Sequence, residues 1–82
     1  MAKPRTPTAE TLAGQIAREI RGEMGRQGIT QESLAEQLGW TQRLLSRRLT
    51  ADVPIDATEI EQIAAVLGVP VTNFLPVPVN SA

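Results

Sequence analysis

Apolar residues recur along the chain at the three- and four-residue spacing of amphipathic helices. The first stripe consists of Leu12, Ile16, Ile20 and Met24. The other face carries the charged residues, so this helix has one buried and one solvent-facing side; they are Glu10, Arg18, Glu19, Arg21 and Glu23. Thr6 followed by Pro7 is typical of an N-cap and a first helical position, and we expect the helix to begin there. Gly25 and Gly28 indicate where it ends.

Two short helices are predicted next, each preceded by a threonine that can serve as its N-cap. Thr30 is placed to cap a helix over residues 31–38, and Gly39 is placed to end it. Thr41 is placed to cap a second helix over residues 42–49. Because so few residues separate the two, they cannot run side by side for long, and the spacing favours a helix-turn-helix corner.

The last long helix has the clearest start. Asp56 with Glu59 three positions later has the pattern of a capping box. The apolar stripe that follows consists of Ile60, Ile63, Ala64 and Leu67. Gly68 closes this helix, and residues 69–75 allow one further short turn. No strand pair is convincing, so the chain is predicted to be all-α, with four to five helices.

The length of 82 residues allows one small domain. We expect a flexible basic arm at residues 1–7, a folded domain at 8–75 and an extended or disordered tail at 76–82. No stretch approaches the roughly 20 apolar residues of a bilayer span, and no signal-peptide pattern follows the first residues. The expected location is therefore the cytoplasm, in a bacterial cell or a phage-infected host.

Composition argues against catalysis. The chain has no cysteine and no histidine, which removes thiolate ligands, the commonest metal ligand and the usual general base. Its carboxylates are scattered over helix surfaces and caps rather than converging. We therefore expect no enzyme activity, no cofactor and no metal site.

The central segment carries a recognisable pattern. Residues 28–49 read GITQESLAEQLGWTQRLLSRRL. This segment resembles the helix-turn-helix of the lambda-repressor-like family of DNA-binding domains, which includes phage repressors, Cro and XRE proteins. The matching residues are Thr30, Gln31, Leu34, Ala35, Leu38, Gly39, Thr41, Gln42, Leu45, Ser46 and Arg47, with Ile60, Ile63, Ala64, Leu67, Gly68 and Val69 downstream and Ile20 and Arg21 upstream. The resemblance covers roughly residues 12 to 75 and implies a compact helical domain.

The resemblance implies binding to double-stranded DNA, with the helix at residues 42–49 in the major groove. Arginine is suited to guanine and glutamine to adenine, and Gln31 is expected at a phosphate. The implied DNA-binding residues are Gln31, Thr41, Gln42, Arg43, Ser46, Arg47 and Arg48. Two positions depart from the family: Arg48 stands where an aliphatic residue is usual, and Trp40 replaces a smaller residue in the turn.

The charge distribution supports this interpretation. Within residues 41–50 there are three arginines and no acidic residue, which is unusual for a merely solvated helix face. Over the whole chain the net charge is −1, whereas nucleic-acid-binding domains usually carry an excess of basic residues. Residues 1–50, however, hold all eight basic and five acidic residues, for +3, and residues 51–82 hold four acidic residues and no basic ones.

Alternatives remain open for partners and biological role. An apolar group near the C-terminus either closes the core or forms a homodimer interface; it consists of Phe74, Leu75, Val77 and Val79. The favoured role is a phage or prophage repressor or Cro-like protein on operator DNA, with no small-molecule effector. The rivals are an excisionase-like or antitoxin-type accessory factor and a protein-interaction module without DNA binding.

Overall fold

Four α-helices and one 3₁₀ helix follow one another in the computed structural model, which describes residues 11–76. The elements are α1 (Leu12–Gln27), α2 (Gln31–Leu38), α3 (Gln42–Leu49), α4 (Ala57–Leu67) and a 3₁₀ helix (Val71–Phe74). The described residues contain no strand, and the predicted all-α class is confirmed. The bounds predicted for α2 and α3 also agree with the structure.

Each of the first three helices begins at a threonine whose hydroxyl accepts a backbone N–H. Thr30 Oγ1 accepts from the amide of Ser33 at 3.1 Å, as predicted. At the start of α1 the cap is Thr11, which accepts from the amide of Gly14 at 2.9 Å. The expectation that Thr6 caps α1 is therefore corrected; Thr6 and Pro7 themselves lie outside the described residues.

The helix ends differ in the residue that supplies the left-handed backbone. Gly28 and Gly39 follow α1 and α2 with φ of 70° and 76°, a region that glycine enters without strain. Gly25, expected to mark the end of α1, lies inside the helix instead. After α3 the left-handed position is occupied by Ala51, with φ of 63°, which a side chain disfavours.

The core is enclosed by all five elements: α3 packs against α1 and α2, α4 packs against α2, and the 3₁₀ helix packs against α1 and α4. Its fully buried large side chains are Ile20, Leu34, Leu45, Leu49, Ile63 and Phe74. Trp40 is partly buried and packs against this core from the turn between α2 and α3. Phe74 lies in the core on the 3₁₀ helix, which contacts α1 and α4.

Polar contacts join the end of α1 to the end of α4. The side-chain amide of Gln27 donates to the carbonyl oxygen of Leu67 at 2.9 Å and to Glu23 Oε2 at 2.7 Å. Arg26 Nη2 lies 2.8 Å from Glu23 Oε1. These hydrogen bonds, with Gln27 contributing most, hold the pKa of the Glu23 carboxyl below its usual value.

Candidate nucleic-acid interface

The first turn of α3 projects from the corner. Thr41 Oγ1 accepts from the amide of Leu44 at 3.0 Å and fixes where the helix begins. Gln42 and Arg43, the first two residues of α3, are exposed, whereas Leu45 in the next turn is fully buried. The first turn of α3 therefore presents a glutamine and an arginine to solvent, while Leu45 anchors the helix in the core.

The same outward surface continues one turn later. Ser46 and Arg47 lie four residues after Gln42 and Arg43, so the four side chains form two neighbouring rows on α3. Arg47 Nε lies 3.2 Å from Asp52 Oδ2, in a pair whose side chains are 47% and 64% exposed. Such an open pair exchanges readily with water and salt, so Arg47 remains accessible to a ligand.

Arg48 has a different environment. Its guanidinium donates to both carboxylate oxygens of Glu59, with Nε to Oε1 at 2.8 Å and Nη2 to Oε2 at 3.1 Å. The two side chains are only 17% and 16% exposed. Leu49 occupies the buried position at this end of α3, which places Arg48 at the edge of the core with its charge on α4.

The electrostatics of this pair are mutually reinforcing. The hydrogen bonds from Arg48 hold the pKa of the Glu59 carboxyl below its usual value, against the opposing effect of burial. The carboxylate in turn raises the pKa of Arg48. Both groups are therefore charged across the ordinary pH range.

The arginines of α3 are thus less alike than the sequence indicated. Residues 41–50 contain no acidic residue, but in the folded protein Asp52 and Glu59, from later in the chain, lie against α3 and pair with two of its arginines. Among residues 11–76, Arg43 is the one arginine of α3 without an ion pair. Arg43 is consequently the arginine most available to an external anion or base.

The two remaining sequence-predicted residues are Gln31 and Thr41. Gln31 is the first residue of α2 and is partly buried, with exposed Glu32 next to it. Thr41 is exposed and uses its hydroxyl as the cap of α3. The structure therefore places both at helix N-termini, where backbone N–H groups favour an anion.

Three residues that support this surface were not found from the sequence. Arg21 on α1 donates from Nη1 to the carbonyl oxygen of Leu49, the last residue of α3. Asp52 and Glu59 pair with Arg47 and Arg48. The capping-box pattern did identify Glu59 as a cap, but no sequence signal links α1 or α4 to the end of α3.

Residues 11–76 contain no group of three or more acidic side chains arranged to hold a metal ion. Over the same residues, each helix is too short or too polar to cross a membrane.

A short helix, a turn at a left-handed glycine and a second short helix with an exposed polar side define a helix-turn-helix protein. The chain belongs to the helix-turn-helix domain family, which matches residues 15–74. No curated protein matches the chain. The narrower lambda-repressor-like assignment stays a prediction.

Solved structures share the fold. The crystal structure of a hypothetical transcription factor, NHTF, from Neisseria is 28% identical, with a TM-score of 0.76 over 95% of this chain and 90% of that one. Fe(II) HppE is 21% identical, with a TM-score of 0.71 over 80% of this chain and 35% of that one. Apo-HppE is 20% identical, with a TM-score of 0.69 over 80% and 37%. The two HppE structures show likeness of fold alone.

Proposed function

We propose that this protein is a sequence-specific, double-stranded DNA-binding regulator of transcription that places α3 in the major groove. The observation that carries the proposal is the exposed first turn of α3, where Gln42 and Arg43 project from a corner whose other side is buried. In helix-turn-helix proteins this turn meets the base edges. The structural neighbour described as a hypothetical transcription factor supports the regulatory role.

Within this proposal the residues of α3 divide the work. Arg43, unpaired within the described chain, contacts guanine O6 and N7, and Gln42 contacts adenine N6 and N7. Ser46 and Arg47 follow one turn later and contact the same groove or its phosphates. Gln31 and Thr41 lie at helix N-termini and contact the phosphate backbone. Arg48, which the sequence also nominated, keeps its ion pair with Glu59.

The proposed biological role is that of a phage or prophage repressor or a Cro-like protein in the cytoplasm. It occupies operator DNA and blocks RNA polymerase. A homodimer would place two recognition helices on half-sites about one helical turn apart. Of the residues nominated for a dimer interface, Phe74 is buried in the core, Leu75 is 39% exposed, and Val77 and Val79 lie outside the described residues.

The test is selection of duplexes from a random DNA library by the purified protein, followed by affinity measurements on the selected site. Arg43→Ala should cost about 1–3 kcal/mol at particular base pairs and relax specificity there. Arg47→Ala should weaken binding further and reduce its salt dependence.

The matched control is Arg18→Ala, which removes the same charge from an exposed position on α1. Arg18→Ala should leave base preference unchanged. Unaltered affinity of the Arg43→Ala, Arg47→Ala double variant at low salt would show that α3 does not enter the groove.

A further inference from the structure

The end of α3 is fastened to the start of α4 through one carboxylate. Glu59 is the third residue of α4, and its side chain accepts the backbone N–H of Asp56 at 3.1 Å. Asp56 Oδ1 accepts the amide of Glu59 in return, at 2.8 Å. This predicted capping box is confirmed, and it fixes the Glu59 carboxylate relative to the first turn of α4.

The same carboxylate binds Arg48. Both of its oxygens accept from the guanidinium, and this two-point geometry restrains orientation as well as distance. Arg48 is therefore attached to a capped helix end rather than to a freely moving side chain. The Arg47–Asp52 pair lacks these features, since it is a single, exposed contact at 3.2 Å.

A rotation of α3 about its axis would move Arg48 and the reading residues together, because all of them lie on one eight-residue helix. Because α3 is a single regular helix, any rotation about its axis redirects Gln42 and Arg43 by the same angle as Arg48. Side chains that bind a base edge must keep a precise direction, so the helix that carries them must be held by supporting contacts. A contact that fixes Arg48 consequently fixes the direction of the reading residues.

We propose that Glu59 is a positioning residue for DNA recognition: by holding Arg48 against the start of α4, it sets the rotation of α3 in the groove. The inference rests on the proposed function. Glu59 also neutralises a cation that would otherwise attract phosphate of any sequence. Its expected contribution is therefore to specificity, through both the aim of α3 and the suppression of non-specific binding.

The decisive variant is Glu59→Gln. Glutamine retains an oxygen for the amide of Asp56, so the capping box persists, but it loses the charge that binds Arg48. Glu61→Gln is the matched control, because Glu61 is an exposed residue of the same helix, forms no ion pair within residues 11–76 and undergoes the same change of charge.

Affinity is measured for a duplex selected by the wild-type protein and for the same base pairs shuffled, over a range of salt concentrations. Glu59→Gln should lower the ratio of specific to non-specific affinity about tenfold. It should also steepen the salt dependence of non-specific binding by about one unit of slope, since Arg48 becomes free to contact phosphate. Glu61→Gln should leave the ratio unchanged.

Arg48→Met and Arg48→Lys provide an independent comparison in case Glu59→Gln unfolds, which the fluorescence of Trp40, the single tryptophan, would report. Lysine preserves the charge opposite Glu59 and should restore part of the specificity ratio that methionine loses. Equal ratios for the two variants would overturn the positioning role.

The two levels of the proposal fail separately. If the wild-type protein selects no duplex, the proposed function is wrong, and the inference fails with it. If the wild-type protein selects a duplex but Glu59→Gln behaves like Glu61→Gln, DNA binding stands and the positioning role of Glu59 is wrong.

Discussion

The two ends of α3 differ although they are only two turns apart. At the N-terminal end, Gln42 and Arg43 are exposed, and the Thr41 hydroxyl caps the helix by accepting the amide of Leu44. At the C-terminal end, Leu49 is fully buried and its carbonyl oxygen accepts from Arg21. Arg48 on the same end is bound to α4 through Glu59.

The difference indicates how one short helix can be both exposed and well positioned. Side chains that read a ligand need unoccupied donors, whereas the helix that carries them needs fixed contacts with the rest of the fold. Here the two requirements are met at opposite ends. Truncating the buried leucine at the C-terminal end should therefore lower stability, whereas substitutions of the exposed residues at the N-terminal end should alter recognition with little change in stability.

The largest expected effect is that of Leu49→Ala. Leu49 is 0% exposed, and truncating a buried leucine removes apolar contacts and leaves a cavity, which costs about 2–5 kcal/mol of unfolding free energy. Urea denaturation followed by Trp40 fluorescence measures the loss. Gln42→Ala at the exposed end should stay within about 0.5 kcal/mol of the wild type. Comparable losses in the two variants would remove the distinction between the ends.

A smaller effect of opposite sign is expected for Ala51→Gly. Ala51 follows α3 with φ of 63°, a left-handed backbone conformation that a Cβ disfavours. Replacing it with glycine removes this strain and should raise the unfolding free energy by about 1 kcal/mol. The melting temperature should therefore rise.

Gly39→Ala is the converse control for that prediction. A Cβ at Gly39 would meet no atom within 4 Å, so the backbone φ of 76° is what makes alanine unfavourable there. Gly39→Ala should lower the melting temperature. A fall in stability for Ala51→Gly would show that the loop after α3 is not strained.

The smallest expected effect concerns pH. The pKa of Glu59 is lower in the folded protein than its ordinary value of 4.5, chiefly because Arg48 donates to it. The ionised carboxylate therefore stabilises the fold fully above the ordinary value, and this contribution is lost as the pH falls through the lowered one.

Acid titration of stability in the wild type and in Arg48→Met isolates this contribution. The variant should show a shallower loss below pH 4.5, with the remainder arising from Glu23, whose pKa is also lowered, and from the Asp56 amide that still donates to Glu59. Parallel curves for the two proteins would mean that Arg48 does not bind Glu59 in solution.

Much of the fold could be predicted from the sequence because its signals are local. Thr30 and Thr41 cap helices within three residues of themselves, and Asp56 forms its capping box with Glu59 over the same distance. Gly39 ends α2 through its own backbone freedom. The predicted start of α1 was wrong because Thr6–Pro7 and Thr11 are both typical of a helix N-cap. Local sequence does not indicate which of them caps the helix.

The candidate DNA-binding residues of α3 were also nominated by the sequence, through their position after the predicted turn. The sequence by itself thus determined which residues stand on the outward row of α3, because helix period and caps set that row. Tertiary structure alone decided which arginines are free. The partners Asp52 and Glu59 lie 5 and 11 residues beyond their arginines, and only folding brings them back to α3.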